Sequence, residues 1–218
     1  MAELILRALL VAVVAYFCGC FNGAVIVSKY ILHNDVRNHG SGNAGLTNFM
    51  RVFGKKMAVF VILPDVLKAV VAVLVGAAVA GAYAPSFWEG ELVTLGKLWA
   101  AMFCLLGHMF PCMFEFKGGK GVLSGGIIAI LVDWRVALVV WGGFILLVLI
   151  TRWVSLGSCW AGLTFPISIW FVFQDPLVTA FGIVCGGLLL IQHRGNIVRL
   201  LKGTEPKFGI HKIKESDS

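Results

Sequence analysis

Long apolar runs separated by short polar joints set the character of this chain. The runs cover about residues 4–27, 57–82, 96–114, 121–132, 136–151, 158–173 and 177–192. A helix needs about 20 apolar residues to cross the hydrocarbon layer of a bilayer. The pattern therefore predicts an all-α polytopic membrane protein with seven transmembrane helices, the short fourth run included.

Composition supports this. The 218 residues are 59% hydrophobic and only 13% charged, against about 25% charged in an ordinary soluble domain. A soluble core could not hide that much apolar surface. One transmembrane bundle over residues 1–206 is expected, with a solvated or lipid-surface tail over 207–218. The N-terminal segment, residues 1–27, has Glu3 and Arg7 near its start, then a long apolar stretch without a convincing cleavage site, so it reads as a retained helix rather than a signal peptide. Cys18, Cys20, Cys104, Cys112, Cys159 and Cys185 lie in or beside apolar runs without a Cys-x-x-Cys pair, which predicts free thiols.

The net charge of +7 would suggest nucleic acid in a soluble protein, but here the cations sit in membrane-flanking joints. Fourteen of the 18 Lys and Arg residues lie between the first and second, third and fourth, and fifth and sixth runs, or in the tail. Arg7, Lys97 and Arg135 lie opposite them, and Lys68 lies inside the second run. The positive-inside bias then places the N-terminus outside and the C-terminus in the cytoplasm. The opposite joints carry Glu89, Glu91, Asp133 and Asp175 and are short, so no site is expected there. No internal repeat of the kind that marks many transporters is visible.

Four basic-side segments carry candidate chemistry. In residues 38–51, Gly40, Gly42 and Gly45 let backbone approach an anion, Ser41, Asn43, Thr47 and Asn48 supply neutral hydrogen bonds, and Arg51 supplies a fixed charge. In residues 107–124, Gly118, Gly119 and Gly121 with Lys117 and Lys120 precede an apolar helix, where free N–H groups and the helix dipole favour phosphate. It is not a Walker sequence, which disfavours nucleotide hydrolysis. The third segment, Thr151 to Ser158, is a hydroxyl-rich turn that includes Ser155 and that a helix cap would explain. In the fourth, His193 and Asn196 are three apart and share a helical face, so an imidazole and an amide can orient a hydroxyl or a phosphate oxygen. Asp65 and Lys68 add an intramembrane ionisable pair at i,i+3, placed either to neutralise itself or to serve the site.

Taken together, Gly40-Ser41-Gly42-Asn43-Ala44-Gly45-x-Thr47-Asn48, Gly107-His108-x-Phe110-Pro111, Phe116-Lys117-Gly118-Gly119-Lys120-Gly121, Thr151-Arg152-x-x-Ser155 and His193-Arg194-x-Asn196 onward to Glu205 resemble the bacterial acyl-phosphate:glycerol-3-phosphate acyltransferases. The similarity spans about residues 19–206 and keeps the order of the blocks. Leu46 stands where alanine is usual, and Leu123-Ser124 replaces a common Ala-Thr.

The resemblance implies a multi-pass enzyme of the bacterial inner membrane with its active site facing the cytoplasm. It would move a fatty acyl group from acyl phosphate to glycerol 3-phosphate, giving 1-acyl-glycerol 3-phosphate for phospholipid synthesis. It also implies essential roles for Ser41 and Arg51, a glycerol-phosphate-binding loop at Gly118, Gly119, Lys120 and Gly121, an essential His193 and Asn196, and a structural Glu205. Lys68 and Ser155 join the expected substrate-binding set. No cofactor and no metal is expected, and the protein is expected to act as a monomer beside its membrane lipid. A thioester donor on acyl carrier protein or CoA is disfavoured, because no histidine here is followed five residues later by aspartate. The competing class is a transporter of an anionic phosphorylated metabolite, which would instead place charge at the membrane midplane and on both faces.

Overall fold

The computed structural model describes residues 2–82 and 90–208. Its elements are helices: α1 (Ala2–Cys20), α2 (Gly23–Ile26), α3 (Leu46–Phe53), α4 (Ala58–Gly81), α5 (Glu91–Met109), α6 (Val122–Val132), α7 (Trp134–Thr151), α8 (Val154–Phe173), α9 (Pro176–Gln192) and α10 (Arg194–Leu201). Among the described residues, five stretches are long and apolar enough to cross a membrane: Ala2–Ile31, Ala58–Gly81, Glu91–Phe114, Trp134–Thr151 and Val154–Phe173. A sixth arises if α9 and α10, bent by 61° at His193, are taken as one. The expected fourth span is α6, whose 11 residues reach only about 16 Å, roughly half the hydrocarbon thickness.

The first run departs from the expectation of one helix. Asn22 breaks it, accepting a hydrogen bond from Val25 N–H at 3.1 Å as the N-cap of α2, and a π-helical turn over Val27–Ile31 completes the span. Large apolar side chains along α1, α4 and α7, such as Leu6, Leu67, Leu138 and Leu149, are exposed on the outside of the bundle. They present an apolar surface to lipid.

The interior is organised around α5, which packs on α1, α4, α6 and α9. Small residues permit the closest crossings, as is usual between helices in lipid. A Cβ on Gly107 would strike the Tyr16 carbonyl of α1, and one on Gly76 would meet the Gly96 carbonyl of α5. A second close crossing joins α8 and α9 through Gly162 and Gly186. The six cysteines named above are free. Of the predicted acidic joints, Glu89 lies outside the described residues, as do 209–218 of the predicted tail.

Candidate active site

The polar joints at one end of the bundle fold onto each other. The first, residues 38–51, is tied down by two buried asparagines. Asn22 Nδ2 donates to Ala44 O at 3.1 Å. Asn48, in the first turn of α3, donates from Nδ2 to Val36 O, His39 O and Asn43 O at 3.2, 3.0 and 3.1 Å, and accepts from Ser41 N–H at 2.9 Å. Gly40 and Gly42 adopt φ of +61° and +68°, which only glycine takes without strain. The expected substrate-binding role of Asn48 therefore gives way to a structural one, since its amide is committed to holding the loop's carbonyls. Ser41 and Arg51, by contrast, stand at the surface, and among the described residues no hydrogen bond engages the Ser41 hydroxyl, the Thr47 hydroxyl or the Arg51 guanidinium. Asn43 and Gly45 shape the entry to α3, with Gly45 as its N-cap.

The second joint runs from Pro111 to Gly121. The expected cradle of glycine amides is only partly present. Gly118 N–H donates to Met109 O at 3.1 Å and Gly119 N–H to His108 O at 3.0 Å, so neither points at a ligand. These two residues are glycine for a packing reason. A Cβ on Gly118 would collide with the His108 carbonyl, and one on Gly119 would collide with the His108 ring and come within 2.7 Å of Ala44 O. Gly121, with φ of +79°, is the N-cap of α6, whose first-turn N–H groups are unused within the helix. Arg37 Nη1 donates to Phe114 O at 2.7 Å and bridges the two joints. Lys117 is exposed and pairs with Glu115 at 3.2 Å.

The third and fourth joints complete the site. Lys120 Nζ donates to Asn196 Oδ1. Asn196 Nδ2 donates to Glu205 Oε1 at 2.7 Å, and Arg199 Nε donates to Glu205 Oε2 at 2.7 Å. Glu205 is fixed from its backbone as well, where Trp153 Nε1 donates to its carbonyl at 3.0 Å. This gives physical content to its expected structural role. Burial alone would raise the Glu205 carboxyl, but Ser155, Asn196 and Arg199 outweigh it and hold the group below the usual glutamate range. Ser155 Oγ is buried beside this carboxylate without a hydrogen bond of good geometry, so its hydroxyl is a spare donor within the cluster. Burial also draws the Lys120 ammonium below the usual lysine range, helped by the charges of Arg199 and Arg51 and opposed by Glu205.

His193 sits where α9 bends into α10, just past the end of the span. Its Nδ1 lies 2.8 Å from Leu189 O. A carbonyl can only accept, so Nδ1 carries the hydrogen and Nε2 presents a lone pair. Burial is the main cause that lowers its pKa to about 4, with the Lys120 charge acting the same way. The imidazole is neutral at pH 7.

Lys68 is placed differently from the expectation. Its Nζ lies 2.7 Å from Asp65 Oδ1, 2.6 Å from His108 Nδ1 and 3.3 Å from Phe21 O, and its side chain is 2% exposed. It is saturated inside the bundle, so it does not bind substrate directly. Ser124 Oγ donates to Asp65 O at 3.1 Å, which binds α6 to the same core. Reading the sequence overlooked Asn22, one polar residue in an apolar run. It also gave no role to His108, although the Gly107-His108-x-Phe110-Pro111 block marked the position.

The structure thus brings Lys120, Asn196, Glu205, Arg199, Ser155 and His193 together, with Arg51 near enough for its charge to reach Lys120. Cations outnumber the single carboxylate of this group. Below it lies an apolar cleft lined by Val122, Gly125, Gly162, Gly186 and Leu189 among others. A cationic, hydroxyl- and imidazole-bearing end above an apolar cleft is an arrangement suited to an integral membrane protein with a phosphorylated, amphiphilic ligand.

Comparison with known proteins makes the class definite. The family model described as glycerol-3-phosphate acyltransferase matches residues 9–203, and the chain belongs to that family. A glycerol-3-phosphate acyltransferase of Thermoanaerobacter sp. (strain X514) is 37% identical over 202 residues, covering 93% of this chain and 96% of the relative. The crystal structure of PlsY (YgiH), an integral membrane glycerol 3-phosphate acyltransferase, in its glycerol 3-phosphate form, superposes with a TM-score of 0.80 at 33% identity. It covers 93% of this chain and 96% of its own. The lysophosphatidic acid form of PlsY gives 0.75 at 33% identity, over 93% and 95% of the two chains.

Proposed function

We propose that this protein transfers a fatty acyl group from acyl phosphate to the sn-1 hydroxyl of glycerol 3-phosphate, releasing 1-acyl-glycerol 3-phosphate and phosphate for phospholipid synthesis. The observation that carries the reading is the under-neutralised cluster of Lys120, Arg199 and Arg51 around one carboxylate, beside the His193 lone pair and above the apolar cleft. Two phosphates need cations, a hydroxyl needs an acceptor, and an acyl tail needs an apolar path. Seven transmembrane helices, the short α6 counted among them, with an outside N-terminus and a cytoplasm-facing site in the bacterial inner membrane, agree with the charge bias. The bundle of residues 1–206 acts as a single monomeric unit, and residues 207–218 form its tail.

In this scheme Lys120 and Arg51 neutralise the two phosphates, Ser41 and the first-turn N–H groups of α6 hold phosphate or oxyanion, and Asn196 keeps Lys120 in place. His193 Nε2 accepts a hydrogen bond from the glycerol hydroxyl and orients it. The hydroxyl oxygen attacks the acyl carbon, and the carbon–oxygen bond to phosphate breaks. The proton passes to the departing phosphate, because an imidazole with a pKa of about 4 is a weak general base. Positioning and charge stabilisation supply the rate.

Purified protein in detergent, given an acyl phosphate and radiolabelled glycerol 3-phosphate, is expected to form labelled lysophosphatidic acid. Product formed from an acyl thioester but not from acyl phosphate would overturn the donor assignment. Absence of product from both would overturn the acyl-transfer reading.

A further inference from the structure

The Asp65/Lys68 pair and His108 have no part in the scheme above, yet they meet inside the bundle. An ammonium has three donors and no acceptor. Lys68 has three acceptors around it: Asp65 Oδ1 at 2.7 Å, Phe21 O at 3.3 Å and His108 Nδ1 at 2.6 Å. His108 Nδ1 is therefore engaged through its lone pair, which leaves the ring hydrogen on Nε2. His193 has the opposite polarity, because Leu189 O makes its Nδ1 the donor.

The Nε2 side of His108 faces the seam between the first two joints. It occupies the space where a Cβ on Gly119 would lie, and Ala44 O of the first joint borders the same point at 2.7 Å. Among the described residues no hydrogen bond engages Nε2, although the His108 side chain is only 4% exposed. The carbonyl of the same residue accepts Gly119 N–H at 3.0 Å. The ring and carbonyl of His108 thus bracket Gly119, one residue before Lys120.

Building on the proposed function, we propose that Asp65, Lys68 and His108 form a positioning relay for the substrate-binding joint. Lys68, held by Asp65 and the Phe21 carbonyl, locks His108 as an Nε2–H donor. The Nε2–H side of that ring, set against Gly119 where Ala44 O also borders, holds Gly119 against the first joint and so sets where Lys120 stands. The relay spans the break after α1, α4 and the C-terminal end of α5, so it ties Lys120 to the core of the bundle as well as to its own glycine-rich joint.

Two substitutions separate this from general core packing. His108→Gln keeps an N–H donor near the Nε2 position, whereas His108→Asn can satisfy Lys68 but cannot reach the seam. His108→Asn is expected to raise KM for glycerol 3-phosphate about tenfold with kcat within about threefold, and His108→Gln to restore KM to within about threefold of the parent. Equal losses in both variants, or a loss confined to kcat, would overturn the relay. If neither variant folds, nitrogen-15 NMR of histidine-labelled parent protein decides. Protonated Nε2 with unprotonated Nδ1 at His108 supports the relay, and the reverse tautomer or an imidazolium overturns it. The NMR readout does not depend on acyl transfer, so a parent protein that transfers nothing would sink the proposed function while leaving the relay to be judged separately.

Discussion

Lys68 and Lys120 are both largely withdrawn from water, and the structure treats them in opposite ways. Lys68 has an acceptor for each of its three donors, including the Asp65 carboxylate. Lys120 has the Asn196 amide oxygen, while Arg199 and Arg51 crowd it with like charge. Burying a charge is costly unless it is paired and hydrogen-bonded. Lys68 meets that condition within the chain and is part of the scaffold. Lys120 does not, and its deficit is what an incoming phosphate would fill. Intramembrane position alone marks a lysine as expensive; only its partners tell a structural cation from a binding one.

The largest effect expected from breaking this contrast falls on stability. Lys68→Ala leaves the Asp65 carboxylate buried without its cation and is expected to cost about 3–5 kcal/mol, measured by denaturant unfolding in detergent. Replacing both partners, Asp65→Leu with Lys68→Met, should recover most of that loss. A stable Lys68→Ala protein would mean the two lysines are more alike than their contacts indicate. Next comes Lys120→Met, expected to lower acyl transfer about 10²- to 10³-fold with the unfolding midpoint little changed. A variant of full activity would remove Lys120 from the phosphate site.

The same distinction explains what could be read from sequence. Apolar runs ending in polar joints are physical boundaries, so the runs at 57–82, 121–132 and 177–192 correspond to Ala58–Gly81, Val122–Val132 and Pro176–Gln192. The short fourth run was legible as a helix, but that α6 reaches only about half the bilayer thickness was clear only once its ends were defined. The start of α8 at Val154, ahead of the expected 158, has a local cause: Ser158 Oγ donates back to Val154 O at 2.9 Å, so the helix absorbs the hydroxyl. The residue types gathered at the candidate site were legible because the expected phosphate chemistry calls for Lys, Arg, Ser and His. Hydrogen-bond commitments were not, because nothing local tells that Asn48 is spent on loop carbonyls or that the Gly118 and Gly119 amides bond the end of α5.

Titration sharpens the contrast further. His193 shares the under-neutralised end, and burial first, then the Lys120 charge, lowers its pKa to about 4. A histidine whose folded pKa lies below its unfolded value binds its proton more readily when unfolded. Stability is therefore expected to be complete above pH ~6.5 and to fall as pH drops from there toward about 4. Lys120→Met removes one of the causes, so the His193 midpoint in that variant should move up, as followed by NMR. A midpoint that does not move would show that Lys120 is neutralised after all.

The smallest effect is expected three residues before Lys120, and it tests the contrast within a single joint. Lys117 shares the glycine-rich segment and the cationic side of the bundle, and charge counting alone would give it the same standing. It is exposed, however, and already pairs with Glu115 across 3.2 Å. Water satisfies it as well as any phosphate would, and exposed pairs contribute little that can be measured. Lys117→Ala is therefore expected to leave kcat/KM for glycerol 3-phosphate within about twofold of the parent at physiological ionic strength, while Lys120→Met in the same assay is nearly inactive. A large loss at Lys117 would show that total charge at this end of the bundle binds the substrate. The withdrawal of one lysine from water, with too few partners, would then no longer account for the site.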